Sequence, residues 1–101
     1  MKHWLLIYEL APDYMERRPE FRGAHLTLAW EAADRGELVL GGAAGDPPDS
    51  AVLLFRGETG AAAEAFARSD PYVANGLVLN WTIKPWTTVV GDNAATPVRP
   101  S

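Results

Sequence analysis

Polar chemistry indoors has few sources in this chain. There are two histidines and no cysteine among 101 residues, so a thiol nucleophile, a disulfide and a thiolate metal site are all excluded. His3 and His25 share no metal-ligand spacing with each other or with a nearby carboxylate, so no metal is expected. The stretch Pro19-Glu20-Phe21-Arg22-Gly23-Ala24-His25-Leu26 puts one imidazole, His25, in a helical apolar pattern. A histidine there is either a satisfied core residue or a proton acceptor for a bound molecule. Arg22, nearly one turn earlier, could hold a carboxylate or phenolate with its planar fork. It could equally pair with a surface glutamate, and Arg17 and Arg18 read as solvated charges. Ser50 and Ser69 have no spacing that suggests a triad. The run Gly41-Gly42-Ala43-Ala44-Gly45 leads into another strand, not a helix, and lacks the lysine and hydroxyl of a phosphate cradle.

These residues need elements to place them. Residues 3–9 are apolar on both faces and rich in strand formers. Ala11-Pro12-Asp13 breaks that strand. A helix then starts at Pro19, a residue suited to a first helical position; a short turn over Asp13–Arg18 is possible before it. The stripe Phe21, His25, Leu28 and Ala32 continues to a cap at Gly36. Leu26, Ala29, Trp30 and Ala33 widen this stripe. Gly23 costs roughly 1 kcal/mol in a helix interior, and the expectation is that another group approaches it closely. Glu37–Gly42 and Ala51–Arg56 read as strands, joined by a loop over residues 42–49. Thr59 precedes a second helix, Gly60–Arg68, with the small stripe Ala62, Ala63, Phe66 and Ala67. Asp70-Pro71 opens a short turn that ends at Asn75-Gly76. The last strand, Leu77–Trp86, alternates Leu77, Leu79, Trp81 and Ile83 against Val78, Asn80, Thr82 and Lys84. Residues 1–90 are therefore one domain, and 91–101 a tail of Gly, Asn and Pro character.

Strand, helix, strand, strand, helix, strand favours an α+β, ferredoxin-like βαββαβ domain: a four-stranded antiparallel sheet with two helices on one face. The first three strands are apolar on both sides, so the other face needs a partner, most simply a second copy packed sheet to sheet. Burying ~800 Å² of apolar surface yields ~20 kcal/mol gross, against ~4–15 kcal/mol for association.

The apolar share is 48% and the charged share 22%, ordinary for a globular protein. Net charge is −4 and the pI about 5.0, which argues against sequence-independent nucleic-acid binding. No apolar run approaches the ~20 residues of a membrane span, and the first residues turn acidic too soon for a signal peptide. A cytoplasmic protein is the expectation.

Taken together, Arg22-Gly23-Ala24-His25-Leu26, Gly36, Gly41-Gly42, Asp70-Pro71-Tyr72-Val73, Gly76 and Lys84-Pro85-Trp86 resemble the YciI-like (YCII-related) family over roughly residues 3–88. At Gly42-Ala43 the family often has Gly-Pro, so the rim of a pocket would differ here. The resemblance implies a dimeric α/β barrel, two such sheets packed face to face. It also implies a buried histidine–aspartate dyad, which falls on His25 and Asp70. They lie 45 positions apart, so only the fold can join them, with the two helices side by side on the sheet. Asp70 could instead only cap the Pro71 turn. A carboxylate accepting from one ring nitrogen fixes the tautomer and leaves the other nitrogen to take a proton. Some relatives are linked to elimination of HCl from chlorinated aromatic compounds. The expected function is acid–base chemistry, elimination or isomerisation, on a small aromatic or anionic substrate, without a cofactor. His25 would be the base, Asp70 its orienting partner, and Arg22, Tyr72 and Trp86 substrate contacts. Tyr8, Trp30 and Trp81 read as core or interface residues that could also line such a pocket. The alternative is a non-catalytic ligand-binding or accessory module using the same pocket.

Overall fold

A computed structural model describes residues 1–101. The elements are β1 (Lys2–Leu10), α1 (Tyr14–Asp34), β2 (Leu38–Gly45), β3 (Pro48–Gly57), α2 (Ala61–Ser69), α3 (Pro71–Ala74) and β4 (Val78–Trp86). The strands form one sheet in the order β2-β3-β1-β4, and every neighbouring pair is antiparallel. This is the expected α+β, ferredoxin-like arrangement.

Period-two patterning fixes which face of each strand meets the helices. Leu6 and Tyr8 of β1 pair with Leu53 and Ala51 of β3, and all four are buried. Phe55, Ala63, Phe66 and Ala67 complete the layer between the sheet and α2. The alanine stripe of α2 lets the helix sit close to the strands, as its spacing implies. Gly36, at φ 81°, closes α1: its N–H bonds the Ala33 carbonyl and the Glu37 N–H bonds Ala32. Only glycine takes that backbone conformation without strain.

Four local expectations are corrected. Helix α1 begins at Tyr14 and runs through Pro19. Proline at the sixth position forfeits one hydrogen bond, to the Met15 carbonyl, close enough to the exposed start that the helix continues. Residues 42–49 are mostly strand rather than loop, since β2 and β3 pair from Leu38↔Phe55 out to Gly45↔Pro48. Gly23 approaches nothing: a Cβ built on it would meet no atom within 4 Å. In β4 a bulge opposite Glu9 and Leu10 pairs Leu10 with Val78 and Glu9 with Asn80. The extra residue shifts the alternation, so Val78 joins the core while Leu79 is exposed. Trp81 and Ile83 still pack against the core.

The helix-free face carries Leu5, Ile7, Val52 and Leu54, with Leu40 opposite Leu54. On the same face His3, paired with Arg56 and Trp86, sets its Nδ1 2.7 Å from the Thr88 hydroxyl. Thr88 then holds the segment that follows: its Oγ1 accepts from the Ala95 N–H and its carbonyl from the Thr96 N–H.

Candidate functional site

Asp70 ends α2 in an extended conformation and sits at the N-cap of α3. Pro71 suits the first position of that helix, and the Asp70 Oδ1 accepts from the Tyr72 N–H at 3.0 Å. Capping is only part of its work. The same oxygen lies 2.8 Å from His25 Nδ1, and Oδ2 accepts from the Tyr8 hydroxyl at 2.7 Å. Asp70 is 0% exposed, so its desolvation is offset by three hydrogen bonds from β1, α1 and α3. Asp70 thus caps a turn and at the same time contacts an imidazole.

His25 keeps 16% of its side-chain surface exposed. Its ring stacks on Tyr72, with centroids 3.9 Å apart and planes 8° apart, and Phe66 presents an edge to it at 6.1 Å. With Nδ1 donating to Asp70, Nε2 carries the lone pair. Nε2 has no protein partner, and it is not among the polar atoms sealed from solvent. The imidazole is thus held in position and in tautomer, with one nitrogen facing outward.

It faces a cleft of about 350 Å³ between α1 and β2, within the usual range for small-molecule sites. Tyr8, Tyr14, Leu26, Trp30 and Tyr72 contribute to its walls. Gly41, Ala43 and Ala51 contribute almost no side chain to its floor, which is why a hollow remains beneath the helix. Leu26 and Trp30, which widen the apolar stripe of α1, are exposed and line this cleft. Helix α1 therefore has two apolar edges, one on the core and one on the cleft.

The structure brings His25, Asp70, Tyr72 and Arg22 together, Arg22 lining the same cleft. Trp86 does not join them. The expected contact is corrected because Trp86 pairs with His3 at the far end of the sheet, on the helix-free face. Trp81 lies against the core under the guanidinium of Arg68, 5.6 Å from its ring centroid. Arg17 is half-buried and donates to the Asn75 carbonyl at 2.6 Å. Arg18 is likewise no solvated charge: it is half-buried, lines the cleft, and its Nε is sealed without a partner. The signal for Arg18 was its spacing, four residues before Arg22 and seven before His25. Tyr8 also belongs to the site. It sits in the inward phase of β1 beside Leu6 and Leu10, where a buried phenol needs an acceptor, and Asp70 is that acceptor.

Burial, with the charge and hydrogen bond of Asp70, pushes the Tyr8 phenol far above its usual range. Burial also pushes Tyr72 up to about 12, Tyr14 adding to the shift while Arg22 and Arg18 oppose it. Both phenols hold their protons in the folded protein at a pH where the unfolded chain releases them. Their contribution is complete below pH ~10 and is lost as pH rises beyond that, through about 12 for Tyr72. Thermal melts between pH 8 and 12 should show the midpoint falling from pH ~10 upward. Tyr8→Phe should flatten the fall, and an unchanged midpoint in wild type across that window would refute the assignment.

Comparison with known proteins agrees with this architecture. The profile of the YCII-related domain matches residues 1–87. Protein YciI of Escherichia coli O6:H1 (strain CFT073) is 35% identical over 86 residues, covering 76% of this chain and 88% of the relative. Protein YciI of Shigella flexneri matches to the same extent. Among solved structures, 5-chloro-2-hydroxyhydroquinone dehydrochlorinase (TftG) from Burkholderia phenoliruptrix AC1100, in complex with 2,5-dihydroxybenzoquinone, superposes with a TM-score of 0.70 at 18% identity. The match covers 85% of this chain and 94% of that one. Protein Atu4242 from Agrobacterium tumefaciens has a TM-score of 0.58 at 16% identity, over 94% of this chain and 98% of its own. The family match spans all four strands and every helix, and the chain belongs to the YCII-related domain family.

Proposed function

We propose that this protein is a small acid–base enzyme whose base is His25, acting on a compact planar substrate in the cleft between α1 and β2. The observation that carries the reading is the 2.8 Å contact of His25 Nδ1 with buried Asp70, which leaves Nε2 as the free, outward-facing nitrogen. In an elimination, Nε2 takes a proton from a substrate carbon. The electrons of that C–H bond form a new π bond, and the leaving group departs with its bonding pair. In an isomerisation the same nitrogen returns the proton to a different atom. Asp70 keeps the imidazole in one tautomer and offsets the charge it acquires. Tyr72 fixes the plane of the ring, and Arg22 contacts negative charge on the substrate. That a dehydrochlorinase with a bound hydroxyquinone shares the fold supports small oxygenated rings as the first substrates to try.

Hydron exchange provides the test. Chlorinated hydroxyhydroquinones and small enolisable acids are incubated with the protein in deuterium oxide and followed by proton NMR, with chloride release read in parallel. Protein-dependent exchange or chloride release is expected. Neither, across the panel, would leave the cleft as a binding site without turnover.

The working form is a homodimer. Leu5, Ile7, Leu40, Val52 and Leu54 make the helix-free face more apolar than a lone domain ordinarily tolerates. Sedimentation at micromolar concentration should give a species of twice the 11.0 kDa chain mass. A single 11.0 kDa component would rule the dimer out.

A further inference from the structure

We infer that Arg18 and Arg22 form a two-guanidinium carboxylate site in the cleft, so that the natural ligand is a small planar molecule bearing a carboxylate. The inference rests on the cleft assigned above and narrows its substrate class. Of the 19 residues that line the cleft, 14 are hydrophobic. The charged ones are both arginines, and no Asp or Glu lines it. Within the folded domain the other arginines find partners: Arg35 bonds Glu37, Arg68 bonds Glu64, Arg56 donates to the Gly36 carbonyl and Arg17 to the Asn75 carbonyl, leaving only Arg99 of the tail without one. Arg18 and Arg22 make neither an ion pair nor a side-chain hydrogen bond. The Arg18 Nε is the one sealed polar side-chain atom without a partner in the protein, against the general rule that buried donors are satisfied. Its guanidinium lies over the Tyr14 ring, 5.9 Å from the centroid, which restrains the side chain. Four residues apart on one helix, the two like charges repel slightly. An anion between them removes that repulsion and gives the cleft-facing N–H groups of the two guanidiniums an acceptor. The guanidinium fork matches the two oxygens of a carboxylate better than a single phenolic oxygen. The 14 hydrophobic liners then take the remainder of the ligand. His25 lies on the same edge of α1, one turn beyond Arg22, so a group attached to the carboxylate-bearing body is presented to Nε2.

Titration calorimetry near pH 7 at low salt, with sodium benzoate, benzamide and phenol as probes, tests the inference through binding alone. Benzoate should bind the wild-type protein at least about tenfold more tightly than the two neutral rings, whose shape is similar but which carry no charge. Arg18→Gln should lose about tenfold in benzoate affinity and nothing for benzamide, and Arg18→Gln/Arg22→Gln should lose benzoate altogether. Benzoate and benzamide binding alike, or no benzoate binding to the wild type, would overturn it. The wild-type comparison needs no variant to fold. His25→Asn separates the two readings. If it abolishes turnover while Arg18→Gln binds benzoate normally, the acid–base reading stands and the carboxylate site falls. If the wild-type preference for benzoate holds but no exchange is found with any substrate, the carboxylate site stands without the chemistry.

Discussion

His25→Asn should lower the exchange or elimination rate by about 10²–10⁴-fold, the usual contribution of a positioned general base. Asparagine is the informative choice. Its amide nitrogen lies near the position of Nδ1 and can still donate to Asp70, so the buried carboxylate keeps its donors from Tyr8, from the Tyr72 N–H and from residue 25. What disappears is Nε2 and the flat contact with Tyr72. Stacked aromatic pairs contribute ~0.5–1.5 kcal/mol beyond burial, so the melting temperature should drop by only a few degrees. The rate should collapse while the fold survives. His25→Ala would confound the two effects by orphaning Asp70 as well. Equal turnover by wild type and His25→Asn, measured by NMR exchange, would remove His25 from the chemistry.

The second large effect is on stability. Asp70→Ala leaves the Tyr8 hydroxyl, the Tyr72 N–H and the His25 Nδ1–H without their acceptor in a region closed to water. Each unsatisfied buried donor costs ~1–3 kcal/mol, less where a side chain can turn toward solvent. About 3–5 kcal/mol in total is a large part of the ~5–15 kcal/mol that holds a domain of this size together. At ~4–8 °C per kcal/mol the midpoint should drop by roughly 15–30 °C. Tyr8→Phe on its own should cost only ~1 kcal/mol. Combined with Asp70→Ala it should cost less than the sum of the two, because one of the orphaned donors is then absent. Additive losses would show that the Tyr8–Asp70 bond contributes little. Asp70→Asn separates structure from chemistry: an amide oxygen in the Oδ1 position can still accept from the Tyr72 N–H and from His25 Nδ1–H, while Tyr8 loses its Oδ2 acceptor and the negative charge that offsets a protonated imidazole is gone.

Much of the architecture was legible because it depends on residue types with few alternatives. Runs of strand formers mark the four strands, Gly36 ends α1, and alanines mark where α2 must sit close. The inward choice of Leu6, Tyr8, Leu53 and Phe55 is not legible, because those strands are apolar on both faces. The pairing of His25 with Asp70 was different in kind. Nothing within either segment points to the other, and it was reached through a family resemblance. The misreadings have local causes. Pro19 reads as a start signal, but a helix tolerates proline near its beginning when later packing holds it. Alternation puts Leu79 on one face with Leu77, Trp81 and Ile83 because it assumes an unbroken register, and one extra residue in β4 breaks it. Periodicity groups Leu26 and Trp30 with the apolar stripe of α1, but it reports only that residues share a face, not whether that face meets protein or a hollow. Arg18 reads as a solvated charge because a charge in a sequence carries no sign of being enclosed.

The floor of the cleft has a consequence of its own. Gly41, Ala43 and Ala51 make no hydrogen bonds with their side chains and take part in no proton transfer, yet their smallness sets how bulky a guest can be. Selection by size is thus assigned to positions separate from those that supply reactivity. A methyl group gained or lost there would change which molecules enter while leaving the imidazole and its carboxylate as they are.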